Sequence, residues 1–126
     1  MYIGKVAALT GCTPKAIRLY EQLGLLSAPA RQGKYRVYTE HHLTIVRLIR
    51  AAQASGFKLA EMAPLIEEKN RRQWFPLDIA HQGIAAKRAQ IQAEIAALRT
   101  LDARLVMLQA EIDQLFAEPA DADFTL

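Results

Sequence analysis

The sequence predicts a mainly α-helical protein, in which a small helical domain with one β-hairpin is followed by a single long helix. Three features favour this fold class: two short helices separated by a tight turn, a segment of alternating residues punctuated by Pro and Gly, and an apolar seven-residue repeat near the end of the chain. The 126 residues are enough for one small domain and an appendage.

The first feature is the stretch "IGKVAALTGCTPKAIRLYEQLGLL". "IGKVAAL" has the pattern of a short helix, and Gly11 can make the tight turn that follows it. Thr13 can cap a second helix with its hydroxyl, Pro14 suits the first helical position, and Gly24 tolerates a positive φ just past the end. Two short helices joined in this way have the dimensions of a helix-turn-helix.

The second feature is the segment "SAPARQGKYRVYT", which Pro29 and Gly33 punctuate. "KYRVY" alternates basic residues with aromatic or β-branched ones, which is typical of a short strand. We therefore expect a small hairpin, with Arg36 on one face and Tyr35 and Val37 on the other.

Two more helices are predicted after the hairpin. Thr39 can cap a helix that runs through Ser55 and ends at Gly56, with an inner stripe of Leu43, Ile45, Val46 and Ile49. A shorter helix is expected from about Leu59 to Glu68, and Pro64 either bends it or marks a shortened first turn.

The third feature is a long helix from about His81 to Ala117. Its apolar residues recur at sevens in two series that form the a and d positions of a coiled coil: Ile84, Ile91, Leu98, Leu105 and Ile112, with Leu101, Leu108 and Leu115. Lys87 and Glu94 interrupt the d series. Because no other predicted helix has a matching length, the apolar seam predicts a homodimer.

These elements divide the chain into four parts. "KNRRQWFPLD" breaks the periodicity and contains Pro76, so it is the expected linker. The predicted boundaries are a domain over residues 1–68, a linker over 69–80, the dimerisation helix over 81–118 and an acidic tail over 119–126.

Charge is divided unequally along the chain. Residues 1–58 hold nine Lys and Arg against two acids and carry +7, whereas residues 59–126 hold seven against eleven and carry −4. Lys15 and Arg18 lie on the predicted second helix, and three more basic residues lie on the hairpin: Arg31, Lys34 and Arg36. A solvated surface would explain any one of them, but together in a winged helix-turn-helix they favour nucleic-acid binding.

Several functional classes are disfavoured. No uncharged run exceeds about nine residues, and the start of the chain lacks a signal-peptide pattern, so we expect a soluble cytoplasmic protein without a membrane span. We find no nucleophile with a base, no phosphate loop and no carboxylate pair, and therefore expect neither an enzyme nor a cofactor. Cys12 is the only cysteine, and a buried inert thiol is favoured over a redox sensor.

Two stretches carry a family resemblance: the one that contains the first two helices, and "YRVYTEHHLTIVRLIRAAQASGFKLAEM", which follows it. In this order they resemble, over residues 2–68, the DNA-binding domain of the MerR family of bacterial transcriptional regulators. The long helix resembles the family's dimerisation helix, which pairs antiparallel. The resemblance implies a homodimer on a two-fold operator in double-stranded promoter DNA, which it distorts so that RNA polymerase can engage the promoter.

The resemblance also implies roles for particular residues. Thr13, Lys15 and Arg18 would face the major groove, and Tyr20 would lie at the phosphate side of the helix or in the core. The wing would contribute Arg31, Lys34, Tyr35, Arg36 and Tyr38, and Lys58 would belong to a second small wing. Packing is the alternative role for the three tyrosines.

The sequence departs from the family pattern in places. Leu19 stands where an aromatic residue is common, "QGKYR" replaces "NGYR", and Lys58 replaces a capping Ser or Thr. Metal-responsive relatives have cysteines at the start of the long helix and beyond its end, where this chain has His81, Gln82, Asp121 and Asp123. An ordinary surface histidine is therefore favoured over a metal site, and a small-molecule effector stays open.

Two pairs of residues and two other functions complete the predictions. His41 and His42 are expected at the surface, and Trp74 and Phe75 are expected to anchor the linker by packing or to line an apolar ligand pocket. The alternative functions are a coiled-coil adaptor that binds an acidic protein and a nonspecific architectural DNA-binding protein.

Overall fold

The computed structural model describes residues 1–117 and confirms the mainly α-helical fold class with its small wing. In chain order the elements are α1 (Ile3–Thr10), α2 (Pro14–Gln22), β1 (Ala30–Gln32), β2 (Tyr35–Val37), α3 (Glu40–Ala54), a 3₁₀ turn (Leu59–Met62), α4 (Ala63–Arg72) and α5 (Leu77–Leu115). Met1–Ala80 form one compact unit, and a second unit begins at His81.

Helices α1 and α2 form the predicted helix-turn-helix. Gly11 ends α1 in the left-handed region, with φ of 67°, which costs glycine little because it has no Cβ. The Thr13 hydroxyl oxygen accepts the Ala16 N–H at 3.1 Å, and Pro14 occupies the first helical turn. Both predicted start signals of α2 are therefore confirmed.

The core of the first unit lies where α1, α2 and α3 meet. Its centre is formed by side chains with no or almost no exposed surface: Val6, Ile17, Tyr20, Leu26, Tyr38 and Val46. Burying a large apolar side chain contributes about 1.5–3 kcal/mol, so this shared core holds the short helices that would not be stable alone.

The wing is an antiparallel pair in which Arg31 lies opposite Arg36 and Gln32 lies opposite Tyr35. Gly33 begins the two-residue turn with φ of 62°. A positive φ at the first turn residue suits a two-residue hairpin, and glycine adopts it readily. The predicted hairpin therefore forms with Gly33 and Lys34 as its turn residues.

His42 is buried, with 7% of its surface exposed, so its predicted surface position was wrong. Its Nδ1 accepts the Thr39 backbone N–H at 3.0 Å, and its Nε2 lies 3.1 Å from the Ser27 carbonyl oxygen. The Thr39 hydroxyl in turn accepts the His42 N–H at 3.4 Å. His42 thus completes a reciprocal cap at the start of α3 and joins it to the loop after α2.

The region between α3 and α5 differs from the prediction. Pro64 lies in the first turn of α4, after the 3₁₀ turn, where its missing N–H costs nothing. The helix continues to Arg72, and Gln73 ends it with φ of 62°. Part of the segment predicted as a linker is therefore helical.

Ion pairs explain why the polar segment after Glu68 stays helical. Glu68 accepts from Arg71 at 2.6 Å and from Arg72 at 2.8 Å, and Arg72 also contacts Asp78 at 2.6 Å. The hydrogen bond and the charge of Arg71, followed by the charge of Arg72, hold the pKa of Glu68 below its ordinary value. These contacts stabilise the end of α4 and tie it to the first turn of α5.

Helix α5 begins at Leu77, before its predicted start, and ends at Leu115. None of its residues is buried within this chain, and the seam is open to solvent, from 40% exposure at Ile91 to 66% at Leu98. The predicted acidic tail, residues 119–126, lies outside the described residues. Among residues 1–117, even the longest helix is too polar to cross a lipid bilayer.

Trp74 and Phe75 do not pack as predicted. They are 66% and 46% exposed, whereas Pro76 beside them is buried. An apolar cavity of about 390 Å³ lies elsewhere, lined by Leu23, Leu59, Ala60, Ala63, Ile66 and Glu67. Neither aromatic residue lines this cavity.

Candidate nucleic-acid interface

Helix α2 has a buried face and an exposed face. Ile17 and Tyr20 point into the core, with 0% and 2% of their surface exposed. The opposite side carries four exposed residues spaced at i, i+3, i+4 and i+7: Lys15, Arg18, Leu19 and Gln22. Thr13 is exposed at the start of the same helix. The predicted groove-facing residues of α2 are therefore accessible together.

Tyr20 takes the packing role. Its hydroxyl donates to the Gln53 Oε1 at 2.8 Å and lies 3.8 Å from the Cys12 sulfur. Burial, and then the hydrogen bond with Cys12, raises the pKa of Tyr20 to about 12. The ring and hydroxyl are enclosed between α2 and α3, which favours the core position over the phosphate side of the helix.

The wing carries three exposed side chains with basic or aromatic character. The Arg31 Nη1 donates to the Lys34 carbonyl oxygen at 3.1 Å, and the Lys34 Nζ lies 5.7 Å from the centre of the Tyr35 ring. Tyr35 is 58% exposed and lies 5.8 Å, between ring centres, from Tyr2. Arg31, Lys34 and Tyr35 thus form an accessible basic edge, as predicted for a wing.

Arg36 and Tyr38 are held by α2. The Arg36 Nε donates to the Glu21 Oε2 at 3.1 Å, and the Tyr38 hydroxyl donates to the Glu21 Oε1 at 2.5 Å. Tyr38 is only 2% exposed, and burial together with the Glu21 hydrogen bond raises its pKa. The enclosed ring and hydroxyl favour the packing role that was the alternative for Tyr38, and Arg36 pairs with Glu21.

The residues that position the wing were not predicted from the sequence. Glu21 joins two wing residues to α2, His42 joins α3 to the loop after α2, and Tyr2 donates from its hydroxyl to the Gln32 Oε1 at 2.8 Å. His42 had a local signal, because it stands three residues after the capping Thr39. Glu21 and Tyr2 had none, since their partners are distant in the sequence.

The remaining predicted residues belong to neither α2 nor the wing. Lys58 is exposed, and its backbone N–H donates to the Glu61 Oε1 at 2.9 Å, so the glutamate supplies the cap that lysine cannot. His81 is exposed, and Asp121 and Asp123 lie outside the described residues. Within residues 1–117, no group of three or more His, Cys, Asp or Glu side chains is arranged to hold a metal ion.

A helix-turn-helix with an exposed basic recognition face and a basic wing defines a DNA-binding class of protein. Comparison with family models gives the particular family. The model for MerR HTH family regulatory proteins matches residues 1–69, and the model described as "MerR, DNA binding" matches residues 43–108. The chain belongs to the MerR family of helix-turn-helix regulatory proteins, and it is a DNA-binding transcriptional regulator.

Individual relatives agree with this assignment. The HTH-type transcriptional regulator CueR of Escherichia coli O157:H7 is 38% identical over 109 residues, covering 86% of this chain and 80% of the relative. CueR of Vibrio cholerae serotype O1 is 32% identical over 126 residues, covering 96% and 83%. The solved structure of PbrR691 from Ralstonia metallidurans CH34, which contains lead(II), matches with a TM-score of 0.65 and 31% identity, covering 87% and 86% of the two chains.

Proposed function

We propose that the protein acts as a homodimer on a two-fold-related operator in double-stranded promoter DNA. Each protomer places α2 in the major groove of one half-site and its wing on the adjacent sugar-phosphate backbone. The observation that carries this proposal is the exposed face of α2, where Lys15 and Arg18 lie opposite the buried Ile17 and Tyr20. Arginine can read guanine through two hydrogen bonds, and lysine can neutralise phosphate.

The seam of α5 supports the homodimer. It exposes eight large apolar residues in one chain, at a cost that pairing with a second copy would remove. In a parallel pair, Lys87 would face its own copy and so would Glu94, which places like charges together in the interface. An antiparallel pair avoids this and matches Ile84, Ile91 and Leu98 with the partner's Leu115, the partner's Leu108 and the partner's Leu101.

The dimer is proposed to act on promoter shape. Two winged domains joined by paired stiff helices present their DNA contacts at a fixed spacing, so DNA that does not match this spacing must bend or untwist. Such deformation costs about 1–6 kcal/mol for a bent site and is offset by the added contacts. RNA polymerase then engages the reshaped promoter, and the protein acts in the cytoplasm by binding, without catalysis.

The test is selection of bound sequences from a random duplex pool by the purified wild type and by Arg18→Ala, each at two salt concentrations. The wild type is expected to recover an inverted repeat. Its affinity for DNA should fall steeply as the salt concentration rises, because phosphate contacts release counterions. Arg18→Ala should relax the sequence preference at one position in each half-site. Arg99→Ala, which removes the same charge from α5, is the matched control and should recover the wild-type operator.

Other outcomes separate the competing functions. Salt-sensitive binding without a recovered motif would contradict the proposal and indicate a nonspecific architectural protein. An absence of DNA binding would also contradict it and favour an adaptor that binds an acidic protein.

A further inference from the structure

Building on the proposed operator binding, we infer that Leu19 is a specificity-determining residue that reads the C5-methyl group of a thymine in each half-site. Leu19 lies on the exposed side of α2 and is 40% exposed. Its neighbours on that side are Lys15, one turn before it, and Gln22, almost one turn after it. If the exposed side of α2 enters the major groove with Lys15, Leu19 enters the groove with it.

Position, and not exposure alone, distinguishes Leu19 from the other exposed leucines of the first unit. Leu9, Leu48 and Leu77 are more exposed, at 47%, 53% and 59%, but they lie on α1, α3 and α5. Leu23 is 42% exposed, but it follows the last residue of α2 and lines the apolar cavity. Single exposed leucines are common on protein surfaces and need no function. Leu19 alone among these five leucines lies within α2, between the two basic residues and Gln22.

The chemistry of the major groove then limits what Leu19 can recognise. Base edges present hydrogen-bond donors and acceptors, and thymine adds the groove's one methyl group. A leucine placed over a donor or an acceptor removes its water without replacing the hydrogen bond, which is unfavourable. A leucine against the thymine methyl buries apolar surface on both sides, and one methyl-sized group is worth about fourfold in affinity.

The experiment replaces operator thymines with uracil, one symmetric pair at a time, in the operator recovered by the wild-type protein. Uracil keeps every base-pairing hydrogen bond and removes only the methyl group. The wild-type dimer is expected to lose about fourfold in affinity per half-site at one thymine position. Leu19→Ala should bind the thymine and uracil operators equally, as measured by fluorescence anisotropy at fixed salt.

Two further variants make the result specific. Leu48→Ala, an equal truncation on α3, is the matched control and should keep the wild-type response to uracil. Leu19→Gln has a similar length and can donate and accept hydrogen bonds, so it should change the selected base at that position from thymine towards adenine while the rest of the operator is unchanged. Circular dichroism of each variant verifies that α2 is folded.

Two results would overturn the role of Leu19. One is that no uracil replacement weakens binding of the wild type, and the other is that Leu19→Ala loses as much affinity on uracil replacement as the wild type does. A wild-type protein that recovers an operator but ignores the methyl groups would leave the proposed function intact. A wild-type protein that recovers no operator would contradict both.

Discussion

Glu21 shows, at the scale of single residues, how the wing is attached to the recognition helix. Its side chain is only 12% exposed and accepts hydrogen bonds from Arg36 and Tyr38. A buried hydroxyl needs such a partner, because leaving it unpaired costs about 1–3 kcal/mol. Both wing residues were predicted as DNA contacts. Their pairing with Glu21 was not predicted, because it joins positions far apart in the chain that only the folded structure brings together.

Glu21→Ala is expected to destabilise the protein by about 1–3 kcal/mol, because the Tyr38 hydroxyl stays buried without its acceptor. Urea unfolding followed by circular dichroism measures the change. Glu67→Ala removes an exposed carboxylate from α4 and is the control, with an expected change below about 0.5 kcal/mol. Equal midpoints for the two variants would show that Glu21 does not hold the wing.

Tyr20 predicts a loss of stability in alkali. Its pKa is raised to about 12 in the folded protein, against about 10 for an unfolded tyrosine, so the folded state holds this proton more tightly. The stabilising effect is complete below pH 10 and is lost as the pH rises towards 12. In Tyr20→Phe, the free energy of unfolding should fall less steeply with pH over this range, as measured by urea titrations at successive pH values. A pH dependence equal to that of the wild type would rule out Tyr20 as the source.

At the scale of elements, local signals predicted the limits of α2 and α3 better than those of α4 and α5. Thr13 and Thr39 cap α2 and α3 as their hydroxyls indicate. The end of α4 and the start of α5 were misplaced, because Arg72 pairs with both Glu68 and Asp78 and so extends helical structure into a polar segment. Such pairing depends on how two helices meet, which the periodicity of one segment does not contain.

Thr13→Ala tests the cap of the recognition helix. Loss of the hydroxyl leaves the Ala16 N–H without its acceptor and should lower the free energy of unfolding by about 1 kcal/mol. Thr44→Ala is the matched control, because the Thr44 hydroxyl donates to the Glu40 carbonyl oxygen within α3 and alanine is a better helix former. A Thr13→Ala protein as stable as Thr44→Ala would show that the cap contributes nothing.

At the scale of the whole molecule, the composition of the sequence predicted how charge and hydrophobicity are divided between the two parts of the chain. The basic first unit and the apolar seam of α5 follow from residue types and spacing alone. Operator sequence and inducing signal do not follow, because they depend on which exposed side chains meet a partner outside the chain. Leu19 illustrates this, since its role depends on the base opposite it.

The seam predicts the oligomeric state. Leu101→Glu places a charge in the middle of the proposed interface and should convert the dimer to a monomer in sedimentation equilibrium, because an unpaired charge is costly to bury. Met107→Glu introduces the same charge on α5 outside the a and d positions, at a residue that is 72% exposed, and should remain dimeric. A dimeric Leu101→Glu protein would place the interface elsewhere.

The most direct test of the account compares the affinity of the wild type and of Leu101→Glu for a full two-fold operator and for a single half-site. The wild type is expected to bind the full operator far more tightly than the half-site, because the paired α5 helices deliver the second recognition helix without a separate association step. Leu101→Glu should bind both DNAs weakly and alike. Equal wild-type affinity for the two DNAs, or full-operator affinity retained by a monomeric Leu101→Glu, would contradict the account.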